Sequence, residues 1–124
     1  MYAISASRAP RTSAPFSEGT SAGRYVFVSA QPPADPKTGA LVKGSLKEMA
    51  TQCLDNVEAV LSELDLTLSD VTKVTVLLAG TDDFSAIDAA CEERFPRPMP
   101  ACSRVQVVSI AQGAPVAIEA IACR

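Results

Sequence analysis

Apolar positions recur at helical spacing over residues 45–64 (SLKEMATQCLDNVEAVLSEL). Leu46, Met49, Ala50, Cys53, Leu54, Val57, Val60, Leu61 and Leu64 fall there on one face. Ser45 and Glu48 stand at the S-x-x-E spacing of a capping box, which marks the start of this helix. Cys53 lies inside the stripe and is expected in the core, where a free cysteine packs as a small apolar group. GRYVFVSA (23–30) has the aromatic and β-branched character of a strand and runs into a proline-rich turn, QPPADPKTG. DVTKVTVLLAG (70–80) reads as another strand. TDDFSAIDAACEERF reads as a second helix, begun by Thr81 or Asp82 and stopped before Pro96, with Phe84, Ile87, Cys91 and Phe95 turned inward. After PRPMP come two strands, 102–110 and 115–122, and the short joint AQGA predicts that they pair as an antiparallel hairpin. YAISA predicts a short strand near the N-terminus, and the remainder of the first 20 residues reads as loop.

Strands, helix, strand, helix, strand, strand is the order of an α+β fold, with a mixed β-sheet and two helices packed on one face. The whole chain, 1–124, is expected to form one domain. Two helices leave one sheet face partly uncovered, and a mostly apolar uncovered face invites oligomerisation.

Composition narrows the chemistry. The net charge is −3 and no run of Lys or Arg tracks a phosphate backbone, so nucleic acid is not an expected partner. The absence of histidine excludes a Ser-His-Asp or Cys-His pair and histidine-ligated zinc, leaving Asp, Glu, Cys, Lys, Tyr or water as acid or base. Cysteines 53, 91, 102 and 123 show no C-x-x-C spacing, so no disulfide framework or metal site is expected. No apolar stretch approaches ~18 residues and the N-terminus lacks a signal-peptide core. The expectation is a reduced, cytoplasmic, soluble protein without membrane contact.

Two features stand out within this frame. In PACSRVQVVSI, Cys102, Arg104, Gln106 and Val108 alternate onto one strand face, with Cys102 and Arg104 only ~6.5–7 Å apart. An arginine that close is expected to lower the thiol pKa; the alternative is a solvated charge beside an inert thiol. In PVAIEAIAC, Glu119 is a lone charge in an apolar run. It calls for a cation, a wet cavity or a subunit interface, unless the strand is an edge with one solvated side chain. A final hairpin would bring Glu119 near Cys102 and Arg104. The carboxylates Asp55, Glu58, Glu63, Asp65, Asp70, Glu92 and Glu93 read as solvated helix and loop charges.

Taken together, YVFVSAQPPADPKTGALV, QCLDNVEAVLSELDLTLSDVTKVTVLLAGTDDFSAID and PVAIEAIAC resemble the Rid (YjgF/RidA) family over nearly the whole chain. The resemblance implies a chorismate-mutase-like α+β fold assembled as a homotrimer, with helices outside, sheets towards the three-fold axis and small-molecule clefts between subunits. In the deaminase branch it implies hydrolysis of 2-imino or enamine acids to 2-oxo acids and ammonia, without metal or organic cofactor. That branch reads P-A-R-S-C-V before the last strand, its arginine gripping the substrate carboxylate. Here the stretch is Pro100-Ala101-Cys102-Ser103-Arg104-Val105, with arginine and cysteine exchanged. Ser29 and Glu119 agree with the family's site pattern, whereas Phe16 replaces a tyrosine, Ala30 a glycine and Asp88 an asparagine.

The resemblance thus implies a hydrolase that processes a reactive imine or enamine with altered specificity. Glu119 would activate water or shuttle a proton, and Arg104 would bind an anionic group. Cys102 would line the cleft or act as a nucleophile, and Ser29, Ala30, Phe16, Asp88 and Ser103 would complete the substrate site. The alternative is a non-catalytic trimer that binds a metabolite or serves as an interaction, holdase-like protein.

Overall fold

The computed structural model describes residues 1–11, 13–80 and 84–124. The long amphipathic segment forms helix α1, Leu46–Ser62, and its capping box is complete. Ser45 Oγ accepts from the Glu48 N–H at 3.1 Å, and Glu48 Oε1 accepts from the Ser45 N–H at 3.0 Å. These bonds satisfy two donors that a helix start otherwise leaves open, and they hold the Glu48 carboxyl below its ordinary pKa. Ala50, Cys53, Leu54, Val57, Val60 and Leu61 are buried on the inner face. Cys53 is a core residue, as its place in the stripe predicts.

The described residues also form strands β1 (Tyr2–Ile4), β2 (Gly19–Ala22), β3 (Tyr25–Gln31), β4 (Val71–Ala79), β5 (Ala101–Val107) and β6 (Val116–Cys123), with helix α2 (Ser85–Arg94) between β4 and β5. Strand β2 falls in a segment that reads as loop from sequence. Gly19 shows why a strand fits there: an added Cβ would lie 2.8 Å from Val60 Cγ1, so the backbone runs tight against α1. The caps expected for α2 at Thr81 or Asp82 lie outside the described residues. Ile87 and Ala90 are buried beneath α2, with Phe84 and Cys91 packed partly buried beside them.

The sheet order is β1-β2-β3-β6-β4-β5. Every pairing is antiparallel except β4 with β5, which are parallel across the α2 crossover. This corrects the expected final hairpin, because β5 and β6 are not neighbours. The joint is longer than AQGA suggests. It runs through residues 108–115 and contains a 3₁₀ turn at Ala111–Gly113, with Gln112 at φ 65°. That length lets β6 pass β4 and enter the centre of the sheet, where its nearly continuous apolar run is covered.

Both helices pack on the face formed by Val26, Val28, Val74, Val76, Leu78, Val116, Ile118 and Ala120, all buried. Two polar clasps fix this layer. Asn56, buried on α1, donates through Nδ2 to the carbonyls of Pro32 and Ala34 at 2.9 and 3.0 Å, pinning the proline turn after β3. Arg94 on α2 reaches Asp55 Oδ1 at 2.6 Å and Glu58 Oε1 at 3.3 Å, so these two acids, solvated as expected, also tie helix to helix. The opposite sheet face carries no helix among the described residues and exposes Tyr25 and Phe27.

Candidate functional site

Register decides which candidates meet. Along β4, Thr75 lies opposite Ser103 of β5 on one side and Glu119 of β6 on the other. Residues directly opposite share a sheet face, so Ser103, Thr75 and Glu119 form a row on the open face. The neighbouring positions, Val74 opposite Cys102 and Val76 opposite Arg104, belong to the helix-covered face. Cys102 and Arg104 therefore share a face, as alternation predicts, but it is not the face of Glu119. The proximity that a hairpin would have given is replaced by an intervening strand and opposite pleat.

On the helix side, Arg104 Nη1 pairs with Asp88 Oδ2 of α2 at 2.8 Å, and its guanidinium lies 5.1 Å from the centroid of the Phe84 ring. Asp88 thus meets Arg104 within one chain. The Cys102 thiol has its pKa raised, chiefly because the surrounding chain desolvates it. Arg104 and Lys73 pull it down and Asp88 pushes it up. The expected net lowering by Arg104 does not occur, since desolvation outweighs the guanidinium. Cys91 is pushed up to about 11, first by burial and then by Cys102 and Asp88.

On the open face, Glu119 is exposed and has no ion-pair partner among the described residues. It lines a shallow cavity of about 150 Å³ with Phe27, Lys73, Thr75 and Ile121. Lys73 Nζ donates to Ser103 Oγ at 2.7 Å. Sequence reasoning passed over Lys73 and Thr75, although their alternation with Val74 and Val76 in TKVTV places both on the face opposite the core.

The remaining candidates gather where β3 is irregular. Its register with β6 shifts between Val28 and Gln31, and Ser29 and Ala30 occupy that bulge. Ser29 Oγ donates to the Ser17 carbonyl at 2.7 Å, which ties the segment carrying exposed Phe16 to the bulge. Gln31, buried at the end of β3, donates to the Ser29 carbonyl at 3.1 Å. From this bulge to β5 the sheet order is β3-β6-β4-β5, three strand spacings or about 14 Å. Phe16, Ser29 and Ala30 thus form one group, and Cys102, Ser103 and Arg104 another, with Glu119 between them.

The family described as Endoribonuclease L-PSP matches residues 6–124. The chain belongs to this family, the Rid (YjgF/RidA) family. Among Rid proteins, a RutC family protein of Pyrococcus horikoshii is 39% identical over 114 residues, covering 92% of this chain and 90% of its own. The 2-iminobutanoate/2-iminopropanoate deaminase of Capra hircus is 37% identical over 119 residues, covering 96% and 87%. The crystal structure of the YjgF gene product from E. coli superposes with a TM-score of 0.92 at 32% identity, covering 100% of this chain and 99% of that one. The mixed six-stranded sheet with two helices on one face is the Rid fold. No helix among the described residues is long and apolar enough to cross a membrane.

Proposed function

We propose that this protein hydrolyses a reactive anionic imine, or the enamine in equilibrium with it, at a cleft between subunits of a homotrimer, without metal or organic cofactor. The observation that carries the reading is Glu119, a carboxylate without an ion-pair partner among the described residues, held on the uncovered face beside Lys73 and Thr75. A carboxylate so placed takes a proton from water as the oxygen adds to the C=N carbon. It returns that proton to nitrogen to give the carbinolamine, then carries the hydroxyl proton to nitrogen as the C–N bond breaks, leaving a carbonyl and ammonia. The goat relative's name, a deaminase of 2-iminobutanoate and 2-iminopropanoate, supports the reaction class.

The spacing of the site groups supports the shared cleft. One small molecule cannot touch both the β3 bulge and β5 of the same chain across about 14 Å. A second copy that sets its bulge against this chain's β5 brings Phe16, Ser29 and Ala30 to Ser103 and the face that carries Glu119. The cavity beside Glu119 in one chain, about 150 Å³, is also smaller than an ordinary ligand site and gains its missing wall in this way. Phe16, Ala30 and the exchanged Cys102 and Arg104 shift specificity away from ordinary 2-imino acids. Arg104 contacts an anionic substrate only by leaving Asp88.

The test supplies imines in situ with an amino-acid oxidase and follows 2-oxo acid and ammonia release. Wild type accelerates release, and Glu119→Gln lowers kcat/KM about 10²- to 10³-fold. Wild type that accelerates no imine sinks the proposal. The engagement of Arg104 by Asp88 favours the second reading, a non-catalytic metabolite binder or interaction protein. Binding of a 2-oxo acid without turnover of any imine decides for metabolite binding.

A further inference from the structure

The exchange of Cys102 and Arg104 removes the guanidinium from the position at which the family pattern holds a substrate carboxylate. The Glu119 face, opposite the one that carries positions 102 and 104, has a cation of its own. Arg104 is on the opposite face, neutralised by Asp88 and laid over Phe84. Lys73 is on the Glu119 face, next along β4 from the row Ser103-Thr75-Glu119, since it pairs in register with Ala101 and Ile121. Among the described residues no carboxylate pairs with it. Its ammonium carries three N–H donors, of which Ser103 Oγ takes one at 2.7 Å. The Ser103 hydroxyl, accepting from Lys73, keeps its own proton to donate. Lysine and serine thus present convergent donors to one anion, and Lys73 and Glu119 line the same cavity. Diagonal neighbours on a sheet lie within about 7–8 Å, so an anion held by Lys73 sets a nearby imine carbon within reach of water activated by Glu119.

We infer that Lys73, assisted by Ser103, holds the anionic group of the substrate. This rests on the hydrolase reading of the same site and names the residue that selects for charge. It requires no change at the Arg104–Asp88 pair, because Lys73 lies on the Glu119 face and Arg104 on the other.

Two measurements on the full-length protein test it. The first compares kcat/KM for an anionic imine, made by an L-amino-acid oxidase, with that for an uncharged imine made by an amine oxidase. Lys73→Met lowers the anionic-to-neutral ratio about 10- to 100-fold, mostly through KM, as loss of a charge-assisted contact requires. Lys73→Arg recovers much of the ratio, and Arg104→Met shifts it far less than Lys73→Met. A larger fall for Arg104→Met than for Lys73→Met overturns the inference. The second measures 2-oxobutanoate binding by calorimetry, with no turnover involved. Loss of binding in Lys73→Met, with oligomeric state and Tm unchanged, supports the inference. Unchanged affinity in that variant, or no binding by wild type, overturns it. If wild type binds 2-oxobutanoate through Lys73 yet hydrolyses no imine, the anion site stands and the hydrolase reading falls. If Lys73→Met does not fold, Lys73→Gln is read in the same way.

Discussion

The two faces of the β4–β5 pair each carry a cation, and the fold treats them in opposite ways. Arg104, on the helix side, is matched by Asp88 and backed by the Phe84 ring. Lys73, on the open side, touches only a serine hydroxyl among the described polar partners and shares its cavity with an unpaired glutamate. The first arrangement joins α2 to the sheet; the second leaves an ammonium without a carboxylate partner among the described residues. Proximity in sequence is a poor guide to which is which. Arg104 is next to Ser103 in the chain, yet the pleat sends one to the packed layer and the other to the row with Glu119.

If the faces divide packing from chemistry, substitutions on each should separate stability from activity. Glu119→Gln on the open face has the largest expected effect, a loss of about 10²-fold or more in kcat/KM. Its urea midpoint should change by no more than about 0.5 kcal/mol in equivalent stability, as for an exposed position. Equal loss of activity and stability would break the division. Asn56→Ala on the helix side is the converse. It strands the half-buried Pro32 and the buried Ala34 carbonyls and should cost about 2–3 kcal/mol in urea unfolding, with the surviving folded protein still active.

Alkali tests the packed side through Cys91. Its thiol pKa rises from an ordinary 9.0 to about 11 in the folded chain. Above pH 9 the unfolded chain loses this proton while the folded chain keeps it, so folding stability falls as pH rises from about 9 to 11. Cys91→Ala should make that part of the stability profile less steep, measured by urea unfolding at each pH, while the raised thiols of Cys53 and Cys102 keep the rest of the slope. The smallest effect is expected from Asp88→Asn, which frees Arg104. An exposed pair of this kind holds its partner with only about 0.2–1 kcal/mol, so activity on an anionic imine should rise no more than about fivefold. A larger rise would mean that Arg104, once released, competes with Lys73 for the substrate.

Local signals in the chain were legible because they report local physics. Ser45 and Glu48 mark the start of α1, and the stripe through Cys53, Leu54 and Val57 marks its buried face. Alternation also assigned Cys102 and Arg104 to one face. Which strand lies beside which is a different matter. AQGA looks like a tight turn, but β5 is held beside β4 by the α2 crossover, and β6 takes the central slot its apolar run requires. That one change in partner moved Glu119 away from Cys102 and towards Lys73. The net pKa direction at Cys102 was illegible for a similar reason: nearby charge is visible in sequence, whereas desolvation depends on what folds over the thiol.

The position of β5 has a consequence for the life of the protein before assembly. It lies last in the sheet order, paired only with β4, so its outer backbone donors and acceptors face away from the sheet. Its residues are largely exposed, Val105 among them, and no proline interrupts Ala101–Val107. Such an edge is a template on which another chain can add a strand. Unassembled chains would be vulnerable to runaway association through this edge, and a closed oligomer that covered it would protect them against aggregation.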